Sequence, residues 1–329
     1  MKILITGALG YVGSVLCSRL IRTDQKMKIY GIDNSSNVRD PVFIDKVNYA
    51  ELDLCDVKKL NEYFQSHQFD IVIHLAAKIY VHDSFLEKSE YEKNNIQATK
   101  NLLKECHRHK IDQIIFASSS TLYQSPENLV KLSEGAAVLP LNPYGETKLE
   151  CERLIRSYSN LTGYIFRFFN IAGADIPGIL GQDSKAPKHV IDRFSHLLAS
   201  GNCTIEIFGE NLNTIDGTVV RDYIHVLDVA DLIMKAVYCI HKETGVKTYN
   251  CGSETGTSLL QLVQIFESVI NERIHIKYNG HHSGDPLFLV SDSSLARKDF
   301  GWSPSNSDII NIVQSACEWS KMRKKYLEN

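Results

Sequence analysis

The sequence predicts an α/β protein in which a doubly wound parallel sheet is followed by a smaller C-terminal α/β lobe. Three observations carry this. Strand-like and helix-like segments alternate from the first residue, a glycine-rich turn joins the first strand to the first helix, and the texture changes after Asn170.

Residues 2–6 form a short apolar run that ends at Gly7, and residues 12–22 repeat apolar side chains at helical spacing through Val15, Leu16, Leu20 and Ile21. Strand, glycine turn, helix is the opening of a βαβ unit. Further strand-like runs at 28–33, 47–53, 70–76, 113–118 and 164–169 are separated by stretches long enough for crossover helices. Such strands pair in parallel and are covered on both faces. Residues 91–109 place Ile96, Leu102, Leu103 and Cys106 on one side of a helix, and the helix through Tyr144 and Lys148 continues past Leu149 and Leu154. Both helices offer a face for pairing two subunits. A long loop at 173–187, a helix near 189–200, a strand at 204–208 and a Ser258-Leu-Leu-Gln261 capping box before another amphipathic helix compose the second lobe. The expected division is 1–172 for the first domain and 173–329 for the second, with about 218–250 packing back on the first.

Gly7, Gly10 and Gly13 sit where the first strand gives way to the first helix. Glycines allow a tight turn and close approach to a pyrophosphate, and the helix N-terminus offers free N–H groups; a plain glycine-rich turn is the other reading. The position favours a Rossmann-type nucleotide site. Asp33 closes the second strand 20 residues after Gly13, where its carboxylate accepts hydrogen bonds from ribose hydroxyls and disfavours a 2′-phosphate. NAD is therefore expected in preference to NADP. Asp53, at the end of the third strand, reads either as a neighbour of the adenine or as a helix N-cap or turn residue.

Tyr144-Gly-Glu-Thr-Lys148 puts a phenol and an ammonium one helical turn apart on the same face. The cation favours the phenolate, so the tyrosine pKa is expected to fall below its usual value of about 10 and Tyr144 to serve as a general base.

Lys and Arg number 36 against 39 Asp and Glu, leaving a formal charge of −3 that excludes nucleic acid as the default partner. The eight cysteines, from Cys17 to Cys317, form no Cys-x-x-Cys pair and no metal-binding spacing with histidine. They read as buried thiols in a reducing cytoplasm, and no metal is expected. No apolar run reaches the roughly 20 residues of a membrane span, and the N-terminus lacks the order of a cleavable signal. A soluble cytoplasmic protein is expected.

The glycine turn, Ser118-Ser-Ser-Thr-Leu-Tyr123 and Tyr144-x-x-x-Lys148 together resemble the extended short-chain dehydrogenase/reductases. Residues 167–174, 181–190, 216–226 and 249–252 are similar to the branch of that family that inverts C4 of UDP-sugars, and the resemblance covers nearly the whole chain. It implies that Tyr144 takes the proton of the sugar 4-hydroxyl while hydride passes from C4 to NAD. The transient 4-keto sugar then turns over and recovers the hydride on its other face, so NAD stays bound and is not consumed. The resemblance makes Ser119 the hydrogen-bond partner of the reacting oxygen and gives Lys148 a second role on the nicotinamide ribose. It places Gly7, Gly10, Tyr11, Val12, Gly13, Asp33, Asn34, Asp53, Leu54, Leu75, Ala76, Asn94 and Phe168, with Tyr144 and Lys148, around the cofactor. It places Ser119, Thr121, Tyr144, Asn170, His189, Val190, Phe208, Arg221, Tyr223, His282 and Asp285 around the UDP-sugar. A homodimer formed by four-helix packing is also implied.

Three positions depart from the family pattern. His282-Ser-Gly-Asp285 stands where Arg-x-Gly-Asp is usual, so His282, aided by Lys188, is expected to hold the diphosphate, or else the His281-His282 pair faces solvent. Leu289 stands where some members carry a bulky tyrosine against the sugar C2 group, which leaves room for an N-acetyl substituent and for UDP-GlcNAc/UDP-GalNAc. Gln124 replaces the glycine that commonly follows Tyr123. A 4,6-dehydratase would need an acid–base pair where this chain has Ser120-Thr121, and neither hydroxyl does that work. A NAD-sensing protein without turnover would not require Ser119, Tyr144 and Lys148 together.

Overall fold

A computed structural model describes residues 1–126, 128–183, 186–242, 245–280 and 286–327. Its first half alternates strand and helix: β1 (Lys2–Thr6), α1 (Tyr11–Thr23), β2 (Lys28–Asp33), β3 (Val47–Glu51), α2 (Val57–Ser66), β4 (Ile71–His74), α3 (Val81–Leu86), α4 (Lys88–Tyr91), α5 (Ala98–Arg108), β5 (Gln113–Ser119), α6 (Pro143–Ser157) and β6 (Thr162–Phe168). The second half runs through β7 (Asn170–Ala172), β8 (Ala174–Asp175), β9 (Leu180–Gly181), α7 (Val190–Ala199), β10 (Thr204–Phe208), β11 (Val220–His225), α8 (Val226–Cys239), β12 (Val246–Cys251), β13 (Gly256–Ser258), α9 (Leu259–Ile270), β14 (His275–Asn279), β15 (Phe288–Leu289), α10 (Ser294–Phe300) and α11 (Ile309–Leu327).

Seven parallel strands form the central sheet in the order β12-β6-β5-β4-β1-β2-β3, the doubly wound arrangement expected. Alternation along β1 sends Ile3 and Ile5 into the core shared with α1 and α8, and Leu4 into the core shared with α2 and α5. Each such buried side chain contributes about 1.5–3 kcal/mol of transfer free energy. Because β1 has β2 on one side and β4 on the other, successive crossovers diverge there and leave a crevice at the strand C-termini.

Local signals explain most boundaries. Pro143 opens α6, and Asn142 Oδ1 accepts the Gly145 N–H at 2.8 Å. Ser258 and Gln261 form the expected capping box of α9. The single helix expected at 91–109 is instead broken by a π-helical stretch, Glu92–Gln97. Its wider turn carries Asn95 inward, where the side chain bonds the Lys78 N–H (2.8 Å), the Lys78 carbonyl (3.1 Å) and the Thr147 hydroxyl (2.9 Å). The loop expected at 173–187 holds the short β8–β9 hairpin.

In the second lobe α7, α9 and α11 pack Phe194, Leu262, Phe266 and Ile312 around the β10–β14 pair. The chain does not stay there: α8 joins the core beneath α1, and β12 extends the central sheet beside β6. Among the described residues no helix is long and apolar enough to cross a membrane.

Candidate active site

The glycines after β1 form a cradle. Gly7 has φ +72°, a Cβ there would lie 2.8 Å from the Ala76 nitrogen, and one on Gly13 would lie 2.1 Å from the Gly7 carbonyl oxygen. Only glycine fits at either position. α1 begins after Gly10 with no side-chain cap and no acidic residue in its first turn, which suits its N–H groups to an anion. Asp33 is already set: Oδ2 accepts the Leu9 N–H at 3.0 Å and Oδ1 the Ser35 N–H at 2.8 Å. Each oxygen retains a lone pair for a ribose hydroxyl. Asp53 makes a turn, accepting from Cys55 N–H at 2.7 Å, and also takes the Asn34 amide at 3.2 Å.

A cleft of about 410 Å³ runs from this cradle to α6. Gly7, Gly10, Tyr11, Val12, Gly13, Asp33, Asn34, Asp53, Leu54, Leu75, Ala76, Asn94 and Phe168 line it, as do Tyr144 and Lys148. Ser119, Thr121, Asn170, His189, Arg221 and Leu289 line it as well. Val190 and Tyr223 border a small recess that shares Asn170 and His189 with the cleft. Phe208 is not among the lining residues; its ring packs 5.7 Å from the Arg193 guanidinium. His282 and Asp285 lie outside the described residues.

At the reacting end, Ser119 Oγ accepts the Thr121 N–H at 3.2 Å and the Thr121 hydroxyl at 3.0 Å. Lys148 Nζ donates to the Ala117 carbonyl at 2.7 Å and stands 6.0 Å from the centre of the Tyr144 ring. Tyr144 and Lys148 are both buried. Burial pushes the Tyr144 phenol up to about 12, with a hydrogen bond to Ser119 offsetting part of the rise, and pulls Lys148 down to about 8. In the chain without cofactor the Tyr144 phenol thus lies above its usual value rather than below it, with desolvation the largest cause. Serine and tyrosine hydroxyls converge where a substrate oxygen can sit, with an ammonium behind them.

Two features of this end were not read from the sequence. Glu152, one turn beyond Lys148, accepts from Ser118 Oγ (2.6 Å), Arg167 Nε (2.9 Å) and Arg167 Nη2 (2.7 Å), all buried. Arg167 Nη1 continues to the Tyr123 hydroxyl at 2.9 Å, which donates to Asn250 at 2.7 Å, so α6 is tied to β5, β6 and β12. The signal was available: Glu152 shares the face of Lys148 at helical spacing. At the mouth, the Tyr80 ring lies 5.2 Å from the His189 ring and 5.2 Å from Lys188 Nζ, while Lys188 pairs with Asp83. Lys188 is thereby engaged with the first domain. Burial lowers His189 to about 4, leaving it neutral at pH 7.

The model of the NAD dependent epimerase/dehydratase family matches residues 3–252. The chain belongs to that family. Among its relatives, the UDP-glucose 4-epimerase of Azospirillum brasilense is 33% identical over 97% of this chain and 92% of its own length. The structure of UDP-glucose 4-epimerase from Bifidobacterium longum in complex with NAD+ and UDP matches with a TM-score of 0.91 at 29% identity, covering 98% of this chain and 99% of that one. The UDP-Glc/GlcNAc 4-epimerase of Campylobacter jejuni matches with a TM-score of 0.81 at 31% identity, covering 98% and 99%.

Within this member of the epimerase/dehydratase family, the long 216–226 motif divides into scaffold and site. Asp222 accepts from the backbone N–H and hydroxyl of Ser253, from the N–H and hydroxyl of Ser291, and from the Glu254 N–H. Its neighbour Arg221 faces the cleft, in register with Leu289 across the parallel β11–β15 pair.

Proposed function

We propose that the chain is an NAD-dependent epimerase that inverts C4 of a UDP-hexose, interconverting UDP-galactose and UDP-glucose through a transient 4-keto sugar. One observation carries this reading: Ser119, Tyr144 and Lys148 meet at one end of a cleft whose other end is the Gly7–Gly13 cradle and Asp33. Bound NAD supplies the hydride acceptor and a positive charge on its nicotinamide ring. Ser119 Oγ holds the sugar 4-oxygen. The Tyr144 oxygen takes the 4-hydroxyl proton as C4 is oxidised and returns it when the turned ketone is reduced. Lys148 would stabilise the phenolate and help to hold the nicotinamide ribose, while the Arg221 fork suits paired phosphate oxygens. Proton and hydride both return to the sugar, so no redox equivalent is left over.

A second substrate pair, UDP-GlcNAc and UDP-GalNAc, is supported by Leu289, a buried aliphatic side chain in the cleft wall beside Arg221. We further infer a cytoplasmic homodimer, in keeping with the amphipathic helices α5 and α6. The purified protein should convert UDP-galactose to UDP-glucose, and Tyr144→Phe should lower kcat by about 10²–10⁴-fold while NAD binding persists. Full activity in Tyr144→Phe would remove the proton-transfer role. Competition between the hexose and N-acetylhexosamine pairs decides the substrate range.

A further inference from the structure

The cleft wall nearest Asp33 is made by the irregular segment that follows β2, including Ser36, Val38, Asp40 and Val42. The segment is held from outside its own domain. The Arg39 N–H donates to the Asp183 carbonyl at 3.3 Å, and the Asp40 N–H to Asp183 Oδ2 at 3.0 Å. Arg323 Nη2, from α11, then donates to Asp40 Oδ2 at 3.0 Å and to Asp183 Oδ2 at 2.5 Å. The guanidinium lies 5.5 Å from the centre of the Trp319 ring, and Trp319 Nε1 donates to the Gln182 carbonyl at 2.8 Å. Three segments far apart in sequence are thus gathered by one cation.

Val42 packs against the central core, whereas the Arg39–Asp40 stretch is tied to Asp183 by polar contacts. Behind this wall lies a second cavity of about 260 Å³, and Gln182, Asp183, Trp319 and Arg323 border both spaces. Where Asp183 and Arg323 divide the two spaces, charge-assisted hydrogen bonds join the segments. We propose that Arg323 is a positioning residue that latches the adenosine-side wall of the cleft through Asp40 and Asp183, and that release of NAD requires this latch to open. The inference rests on the NAD reading given above and adds what keeps the cofactor resident.

The test is the rate at which purified holoenzyme exchanges its NAD for labelled NAD in solution. Arg323→Met and Asp40→Ala should each accelerate exchange by roughly tenfold. The double variant should be no faster than the faster single one, because both remove the same latch. Arg323→Lys should recover part of the retention. Raising salt from low to high should speed exchange in the wild type and leave Arg323→Met nearly unchanged, a response that a merely structural arginine would not give. If Arg323→Met does not fold, Asp40→Ala, whose side chain is about half exposed, carries the same test. Exchange within twofold of the wild type in the folded variants, or equal salt dependence, overturns the latch while the cofactor reading stands. Wild-type protein that neither retains nor binds NAD overturns both.

Discussion

The Lys148 ammonium stands 6.0 Å from the centre of the Tyr144 ring yet spends a hydrogen bond on the Ala117 carbonyl, 2.7 Å away. The cation is present, but the protein alone keeps Tyr144 a phenol. With the phenol raised to about 12 by burial, Tyr144 in cofactor-free protein should remain un-ionised through pH 9. The ultraviolet difference titration between wild type and Tyr144→Phe measures this. NAD should move the transition downward, since it brings positive charge into the same cleft. A transition below pH 8 without cofactor would contradict the dominance of desolvation.

Lys148 carries the opposite cost. Its folded pKa of about 8 lies below the ordinary lysine value, so between about pH 8 and 10.5 the unfolded chain binds more protons and stability should rise with pH. Lys148→Met removes a buried ammonium that costs on the order of 3 kcal/mol at pH 7, at roughly 1.4 kcal/mol per pKa unit. Cofactor-free Lys148→Met should therefore unfold at a higher denaturant concentration than wild type at pH 7, with the difference shrinking toward pH 10, while epimerase activity is lost. Equal or lower stability at pH 7 would show that the bond to Ala117 outweighs desolvation.

Glu152 and Arg167 form a buried pair at 2.7 Å directly behind Ser118. Glu152→Gln leaves the guanidinium without its counter-charge, and a broken buried pair costs about 3–5 kcal/mol. Urea unfolding should show that loss. Replacing both partners by Met should recover part of it, because no unpaired charge then remains. Single and double variants as stable as the wild type would mean that the network adds nothing.

Leu289 and Arg221 are register partners that both line the cleft. Leu289→Tyr should depress turnover of an N-acetylhexosamine substrate at least tenfold more than turnover of the hexose, since steric exclusion acts on the substituent at C2. Comparison of kcat/KM for the two pairs checks this. An equal loss for both would move the selectivity elsewhere.

Sequence periodicity sufficed for the short apolar runs: β1, β2 and β10 lie where those runs put them. It failed where tertiary contacts decide the structure. The π-helical stretch at Glu92–Gln97 exists because Asn95 bonds Lys78 and Thr147, partners that no local pattern reveals. The return of α8 and β12 to the central sheet falls within the 218–250 stretch expected to pack back on the first domain. In the cleft, the glycine turn and the Tyr144–Lys148 pair were legible from spacing and Ser119 from the family resemblance, and Ser119, Tyr144 and Lys148 do line one space. Their electrostatics were not, because helical spacing shows that a cation is near but not that water is excluded. Trp319 and Arg323 escaped notice because they reach the cleft from the last helix, with no motif of their own.

The most direct measurement is epimerisation by the purified protein with no NAD added. Conversion of UDP-galactose to UDP-glucose, with NAD recovered from the denatured enzyme, is the expected result: the hydride is returned in each cycle and the cofactor stays in place. No turnover, together with no NAD in the denatured extract and no activity when NAD is supplied, would contradict the assignment of Ser119, Tyr144 and Lys148 to the chemistry at C4.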